Sequence, residues 1–295
     1  LGHHFSSIAG GAPIVGPITA GAVWGWLPAL LWVAIGNPLM GAVHDFISLS
    51  GSIRHEGRSI GYIVGQYVGE KGKNLLLWFA FLTIILVVAV FALVVGIVFN
   101  AFPEVTTASF VYILLAFGFG VYLYQLNGPF IPGTILFVGG VFAGVWLGIQ
   151  YPFALFPGEF ERGAFVLAEA LGLGAGNWVP GAAALGANTA AWIPVIMIYG
   201  AVASALPVWV LLQPRDYLSS FLLYTGVGGG VLAIIVGVIL GTSSQPLVID
   251  ASVPMYGGFF GSETAIDVRG IAPLFPLLFI TIACGTISGF HSLVS

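Results

Sequence analysis

The stretch Leu75–Phe99, with the sequence LLLWFAFLTIILVVAVFALVVGIVF, is apolar on every side and decides the class of fold. An α-helix rises 1.5 Å per residue, so about 20 such residues cross the hydrocarbon core of a bilayer. A strand of a membrane barrel would instead alternate polar and apolar residues over roughly ten positions. The stretch therefore predicts a transmembrane helix.

The composition extends this interpretation to the whole chain. Of its 295 residues, 59% are hydrophobic and 6% are charged, and the mean hydropathy is +1.07. Soluble domains carry about 25% charged residues, so the composition excludes a water-exposed surface. Six more spans are predicted, at Trp24–Ser50, Phe110–Gln125, Gly133–Ile149, Asn188–Leu212, Leu218–Leu240 and Ile271–Ser295. The predicted fold class is all-α, a polytopic transmembrane helical bundle.

We expect a single transmembrane domain, 1–295, and we expect it to be a fragment of a longer chain because it begins without Met. The single cysteine, Cys284, lies in an apolar run, so no disulfide within the chain is expected.

The positive charges predict the orientation of the spans. The link 51–74 carries four of the seven basic residues, namely Arg54, Arg58, Lys71 and Lys73. The excess of Lys and Arg in cytoplasmic loops predicts that this link is cytoplasmic. Alternating crossings then place 151–185 and 241–270 outside. They place Arg215 and Asp216 inside, where we interpret the pair as the anchor of a helix end.

The opening stretch GHHFSSIAGGAPIVGP, residues 2–17, combines helix-breaking glycines and prolines with histidines and serines. Broken backbone at membrane depth is tolerated where it is buried in protein or lines a watery cavity, and such breaks mark binding sites. The alternative is a surface loop between two spans.

The chain ends on ACGTISGFHSLVS, residues 283–295, which again has a histidine and serines among small residues. Seven crossings separate the two stretches, so they run in opposite directions, which favours an inverted-topology repeat with two broken helices that meet at the midplane. The candidate substrate-binding residues are His3, His4, Ser6, Ser7, Gly10, Gly11, His291, Ser292 and Ser295.

A second group of polar residues lies within the span Trp24–Ser50. In GNPLMGAVHDFISLS, residues 36–50, helical spacing puts Asn37, Gly41, His44, Asp45 and Ser48 on one stripe. Asp45 precedes Arg54 by nine residues, about 13 Å of helix, which places it inside the apolar layer. An apolar setting favours the neutral form of a carboxylate, so Asp45, with His44, is the predicted proton-coupling group. Alternatively, the two side chains bond to neighbouring helices, or sodium is the coupling ion.

The residues give little support to an enzymatic function. The histidines do not have the spacing of a metal site, and Ser292 beside His291 lacks the geometry of an activated nucleophile. We expect no enzyme activity, no metal or other cofactor and no nucleic-acid partner. A passive channel is the main rival to a transporter.

Four segments resemble the carbon starvation protein A family: GHHFSSIAGGAPIVGPI, GAVHDFISLSGSIRHEGRSIG, PVWVLLQPRDYLSSFLLY and PLFPLLFITIACGTISGFHSLVS. The resemblance runs from one end of the chain to the other. It implies a multi-pass inner-membrane transporter that takes up peptides or a small carboxylate such as pyruvate. It also implies coupling to protons. Paired broken helices with His and Asp inside the membrane favour alternating access over a passive channel.

Overall fold

The computed structural model describes residues 11–158, 160, 163–240, 254–261 and 273–286. It divides the chain into two compact units. The first unit contains the described residues of 3–78 and 223–295, and the second contains those of 79–222.

Helices account for nearly all of the regular structure. In chain order the elements are α1 (Gly11–Trp24), α2 (Trp26–Leu31), a π-helix (Trp32–Ala42), α3 (Val43–Arg54), α4 (Ile60–Tyr67), α5 (Glu70–Ala101), α6 (Pro103–Tyr124), α7 (Phe130–Gln150), β1 (Phe153–Ala154), β2 (Phe165–Val166), α8 (Leu167–Ala170), α9 (Ala182–Leu185), α10 (Ala187–Ala205), α11 (Leu212–Leu240) and α12 (Leu274–Thr286). The two short strands pair in parallel.

Six helices among the described residues are long and apolar enough to cross a membrane: Trp26–Arg54, Glu70–Ala101, Pro103–Tyr124, Phe130–Gln150, Ala187–Ala205 and Leu212–Gly237. They confirm the all-α class and correspond to six of the seven predicted spans. The largest differences between the predicted and the observed helix ends occur at prolines. Pro103 starts α6 early because a proline suits the first turn of a helix, and Pro207 ends α10 early because it disfavours helix in the preceding residue.

The seventh predicted span, Ile271–Ser295, is described only in part, as the 13-residue helix α12. At the other end, α1 has 14 residues. At 1.5 Å per residue the described part of each helix is about 20 Å long. Both are apolar.

A backbone break at Gly25 separates α1 from α2. Gly25 has φ 98°, which favours glycine, and a Cβ there would lie 2.7 Å from the carbonyl oxygens of Pro254 and Met255. The same two oxygens accept hydrogen bonds from the backbone N–H groups of Trp26 and Leu27, at 3.3 and 3.1 Å. The segment 254–261 thus caps the first turn of the helix that starts after the break.

Close packing holds α1 against α12 in the first unit. Gly16 and Ala20 are buried on α1, and Leu278 and Ile282 are buried on α12. A Cβ on Gly16 would collide with the carbonyl oxygen of Thr281, so the two backbones approach as only small residues allow.

The π-helix replaces the regular α-helix that the sequence predicts between residues 32 and 42. Pro38 lies inside it and lacks a backbone N–H, and its ring clashes with the carbonyl four residues earlier in an α-helix. The wider i to i+5 pattern of a π-helix relieves that clash.

The second unit packs apolar side chains of α6, α7, α10 and α11 into one core: Ala116, Phe119, Val141, Ala203, Leu211 and Leu218. Asn188, at the start of α10, is buried and fastens the link after α7. Its Oδ1 accepts hydrogen bonds from the N–H groups of Leu155 and Phe156 at 3.1 and 3.2 Å, and its Nδ2 donates to Asn100 Oδ1 at 3.1 Å.

The contact between α1 and α12 predicts opposite effects of two glycine substitutions in one helix. We expect Gly16→Ala to lower the melting temperature by several degrees, because overpacking costs about 1–3 kcal/mol. Gly21→Ala should leave the melting temperature unchanged or raise it, since its Cβ meets nothing within 4 Å and alanine favours helix by about 1 kcal/mol. Thermal unfolding in detergent measures both variants, and stabilisation by Gly16→Ala would contradict the packing.

Candidate functional site

One face of the helix Trp26–Arg54 is polar and turned into the protein. We call it the polar face; it consists of Asn37, Gly41, His44, Asp45, Ser48 and Ser52. Three of these residues are buried and three are half-buried. The other side carries exposed apolar side chains, Val43, Phe46, Ile47 and Ile53. The predicted stripe is therefore one inward face of an apolar span, with the polarity of a soluble helix reversed.

His44 and Asp45 are neighbours on this face. His44 Nδ1 lies 3.4 Å from Asp45 Oδ1, and the Ser48 hydroxyl donates a hydrogen bond of 2.9 Å to the His44 carbonyl oxygen. The side chains of His44 and Asp45 are 39% and 26% exposed. A carboxylate at the centre of a membrane helix costs about 2.5–3.5 kcal/mol on insertion scales. That cost marks Asp45 as a candidate for function, although its role stays a prediction.

Asn37, one turn before Gly41, adds an unpaired polar atom. Its Oδ1 is buried and has no hydrogen-bond partner in the part of the chain that the structure describes, and the same holds for Trp32 Nε1. Such groups are costly in an apolar setting unless water or a ligand satisfies them.

The start of α1 and the end of α12 lie at the same end of the helix pair. The end of α1 and the start of α12 both contact the segment 254–261, because the Gly257 N–H donates to the Trp24 carbonyl and the Leu274 N–H donates to the Phe259 carbonyl. The two helices are therefore antiparallel. From the Gly16–Thr281 contact, five residues further along each helix lead to Gly11 and Thr286.

Gly11 and Thr286 lie level with the first part of the polar face. The helices α12 and Trp26–Arg54 both begin beside the segment 254–261, and the rings of Trp32 and Phe279 pack edge to face with centroids 4.6 Å apart, so the two helices run in the same direction. Thr286 is about 10 Å beyond Phe279. A similar distance beyond Trp32 leads to the level of Asn37 and Gly41. The first unit thus brings Gly11 and Thr286 to the depth of Asn37 and Gly41.

The structure describes Gly11 of the sequence-predicted binding residues. Gly11 is the first residue of α1. The rest, His3, His4, Ser6, Ser7, Gly10, His291, Ser292 and Ser295, lie outside the described residues. The prolines and glycines of Gly11–Pro17 do not interrupt the helix, and the surface-loop alternative is wrong for that part of the opening stretch. Pro13 fits the first turn, where helix N–H groups have no partner in the helix.

A second charged group, which the sequence interpretation undervalued, lies in the second unit. Arg215 and Asp216 do begin a helix, as predicted, and Pro214 occupies its first turn. This start of α11 packs closely on α6, because a Cβ on Gly120 would lie 3.1 Å from Pro214 Cγ and the Tyr112 hydroxyl donates to the Arg215 carbonyl oxygen. The pair is therefore near a helix end and also packed against a neighbouring helix, and its role as an anchor stays a prediction.

Three helices surround the Arg215 side chain. Its Nε and Nη2 both donate to Asp216 Oδ1, at 3.2 and 3.0 Å. The Tyr112 hydroxyl of α6 donates to the Arg215 carbonyl oxygen, and Tyr199 of α10 lies beside the guanidinium. A signal for this site exists in the sequence, because the pair is flanked by apolar residues on both sides in PVWVLLQPRDYLSSFLLY.

No cluster of three or more His, Cys, Asp or Glu side chains that could hold a metal occurs among the described residues. The two polar groups that the structure does build, the polar face and the Arg215 group, suit the binding of a polar solute and the exchange of protons within a membrane.

Comparison with protein families gives one match that covers the chain. The model of the carbon starvation protein CstA family matches residues 1–295. The chain belongs to this family. The resemblance noted in the four sequence segments is thereby confirmed.

Curated relatives of the CstA family are similar to the chain along its full length. The peptide transporter CstA of Campylobacter jejuni is 35% identical over 296 residues, and that of Escherichia coli is 35% identical over 300 residues. The pyruvate/proton symporter BtsT of Escherichia coli is 33% identical over 298 residues. All three are named as transporters, which agrees with the expectation that the chain is not an enzyme.

The alignments cover all of this chain but only 37%, 37% and 36% of the three relatives. The chain thus spans less than two fifths of the length of these three relatives. No solved structure matches the chain.

The two sides of the helix Trp26–Arg54 predict a contrast in chemical labelling. With Cys284 replaced by serine, we expect His44→Cys to react with a water-soluble methanethiosulfonate at least tenfold faster than Phe46→Cys. Thiolates form in water and not in lipid, although Phe46 is the more exposed side chain at 73%. Mass spectrometry after labelling in proteoliposomes measures both rates, and equal rates would contradict an inward watery face.

Proposed function

We propose that the chain holds the transport site of a secondary active transporter, which moves peptides or a small carboxylate such as pyruvate together with a proton. The observation that carries the proposal is the half-buried His44–Asp45 pair on the inward face of an apolar span. Relatives named as peptide transporters and as a pyruvate/proton symporter support the choice of solute and ion.

Asp45 acts as the coupling group in this proposal. A carboxylate that is protonated crosses an apolar environment as a neutral group, and one that faces water releases the proton. Asp45 lies about 13 Å of helix from Arg54, the first of the basic residues that mark the proposed cytoplasmic side. His44 lies next to it, with Nδ1 3.4 Å from Asp45 Oδ1, and an imidazole can relay a proton.

The substrate is held beside Gly11 of α1 and Thr286 of α12. Backbone N–H groups of Ser6–Gly11 bind its carboxylate, with His4, Ser7 and residues His291–Ser295 as further contacts. Free N–H groups at the start of a helix favour an anion. The level of Gly11 and Thr286 beside the polar face supports this arrangement, in which an inverted repeat alternates access across an inner membrane. The link 51–74 is then cytoplasmic.

Asp45→Asn should separate coupling from binding. We expect this variant to lose uptake driven by a pH gradient and to retain exchange of labelled pyruvate or alanylalanine at equal pH, because exchange needs no net proton movement. The full chain in proteoliposomes allows both measurements. The matched control is Glu70→Gln, which makes the same change at an exposed carboxylate paired with Lys73 at 3.4 Å.

Other results of these assays would contradict the role of Asp45 in proton coupling. Loss of both uptake and exchange would make Asp45 structural, and retention of both would remove it from the mechanism. Uptake that follows a sodium gradient and ignores pH would replace the proton with sodium. Flux that neither saturates nor responds to any gradient would identify a passive channel.

Gly11→Val tests the proposed substrate-binding site at the start of α1. We expect uptake to fall at least tenfold while the protein remains folded, because the side chain fills the start of α1, where the substrate carboxylate binds. Gly21→Val, at a position in α1 whose Cβ meets nothing within 4 Å, is the control and should transport normally. Unchanged Michaelis constants for Gly11→Val would remove this end of α1 from the site.

A further inference from the structure

The Arg215 side chain has more hydrogen-bond donors than its neighbours use. A guanidinium carries five N–H groups. Asp216 Oδ1 receives two of them, and the Tyr199 hydroxyl beside the guanidinium can receive a third. Within the part of the chain that the structure describes, at least two N–H groups therefore remain for a ligand.

The open donors lie on the more accessible part of the pair. The Asp216 side chain is 15% exposed, whereas that of Arg215 is 33% exposed. Both bonds to Asp216 use Nε and Nη2, so Nη1 lies on the edge directed away from that carboxylate. Asp216 thus occupies one edge of the guanidinium, and Tyr199 takes at most part of the remaining donors.

Packing fixes the guanidinium before any ligand arrives. The Tyr112 hydroxyl binds the Arg215 carbonyl oxygen, and Pro214 restricts the backbone just before it. A Cβ on Gly120 would lie 3.1 Å from Pro214 Cγ, so α6 and α11 are in close contact at this point. A donor group held in place in advance loses little freedom on binding, which increases affinity.

We propose that Arg215 binds the carboxylate of the transported solute, as a second carboxylate site in the unit that lacks Asp45. The planar fork of a guanidinium matches two carboxylate oxygens, and an ammonium does not. The solute as a carboxylate rests on the proposed function. Asp216 is then a positioning residue, which orients Arg215 and offsets its charge inside the membrane.

Protection from an arginine reagent tests this site in the unmodified chain. Phenylglyoxal is added to the full chain in proteoliposomes, and mass spectrometry measures the modification of each arginine. We expect saturating pyruvate or alanylalanine to slow the modification of Arg215 at least fivefold. Their neutral analogues, pyruvamide and alanylalanine amide, should not slow it. Arg54 and Arg58 are exposed and serve as internal controls that no ligand protects.

Several results would overturn the proposal. They are equal protection by the neutral amides, equal protection of Arg54, or no modification of Arg215 by this small reagent when Arg54 is fully modified. A chain that transports pyruvate without protecting Arg215 would refute this inference alone. Protection of Arg215 in a chain that transports neither carboxylate would refute the proposed function, and it would still support a carboxylate site at Arg215.

Two substitutions distinguish binding from support of the fold. Arg215→Lys keeps the positive charge and removes the fork, so the dissociation constant for alanylalanine should rise about tenfold while that for its amide stays the same. Asp216→Asn should lower the melting temperature and raise the dissociation constant for alanylalanine more than that for its amide, because Asp216 acts through Arg215. A rise of both constants in Arg215→Lys would assign Arg215 a structural role only.

Discussion

A polar group inside a bilayer finds its partners within the protein, because hydrocarbon supplies none. This constraint accounts for the reversed polarity of the helix Trp26–Arg54, whose apolar side chains face outward while His44, Asp45 and Ser48 face inward. It also accounts for the Arg215–Asp216 pair, where two charges in an apolar span satisfy one another. Each unit of the chain thus keeps one group of costly polar side chains away from lipid.

Small residues and backbone breaks place these groups. Gly16 lets α1 and α12 approach closely, and Gly25 turns the chain so that α2 starts beside α1. Pro38 widens the helix near Asn37, where the polar face begins. These positions bring Gly11 and Thr286 level with Asn37 and Gly41, beside the polar face.

The sequence predicts the features that depend on composition and on helical periodicity. It misses the features that depend on contacts between distant segments. Apolar runs located six membrane-spanning helices, and helical spacing put Asn37 to Ser48 on one stripe. The π-helix was missed because a proline within an apolar run does not reveal how the backbone accommodates it. The contacts of Arg215 with Tyr112 and Tyr199 were missed because they depend on how α11 packs against α6 and α10, which no local pattern contains.

Electron cryo-microscopy of the full chain with bound alanylalanine tests the central claim most directly, namely that the ends of α1 and α12 and the polar face form one binding site. The account predicts ligand density between these helix ends, within about 3 Å of a polar-face side chain. A map with well-resolved ligand elsewhere, and with no ligand contact to Asn37, His44 or Asp45, would contradict it.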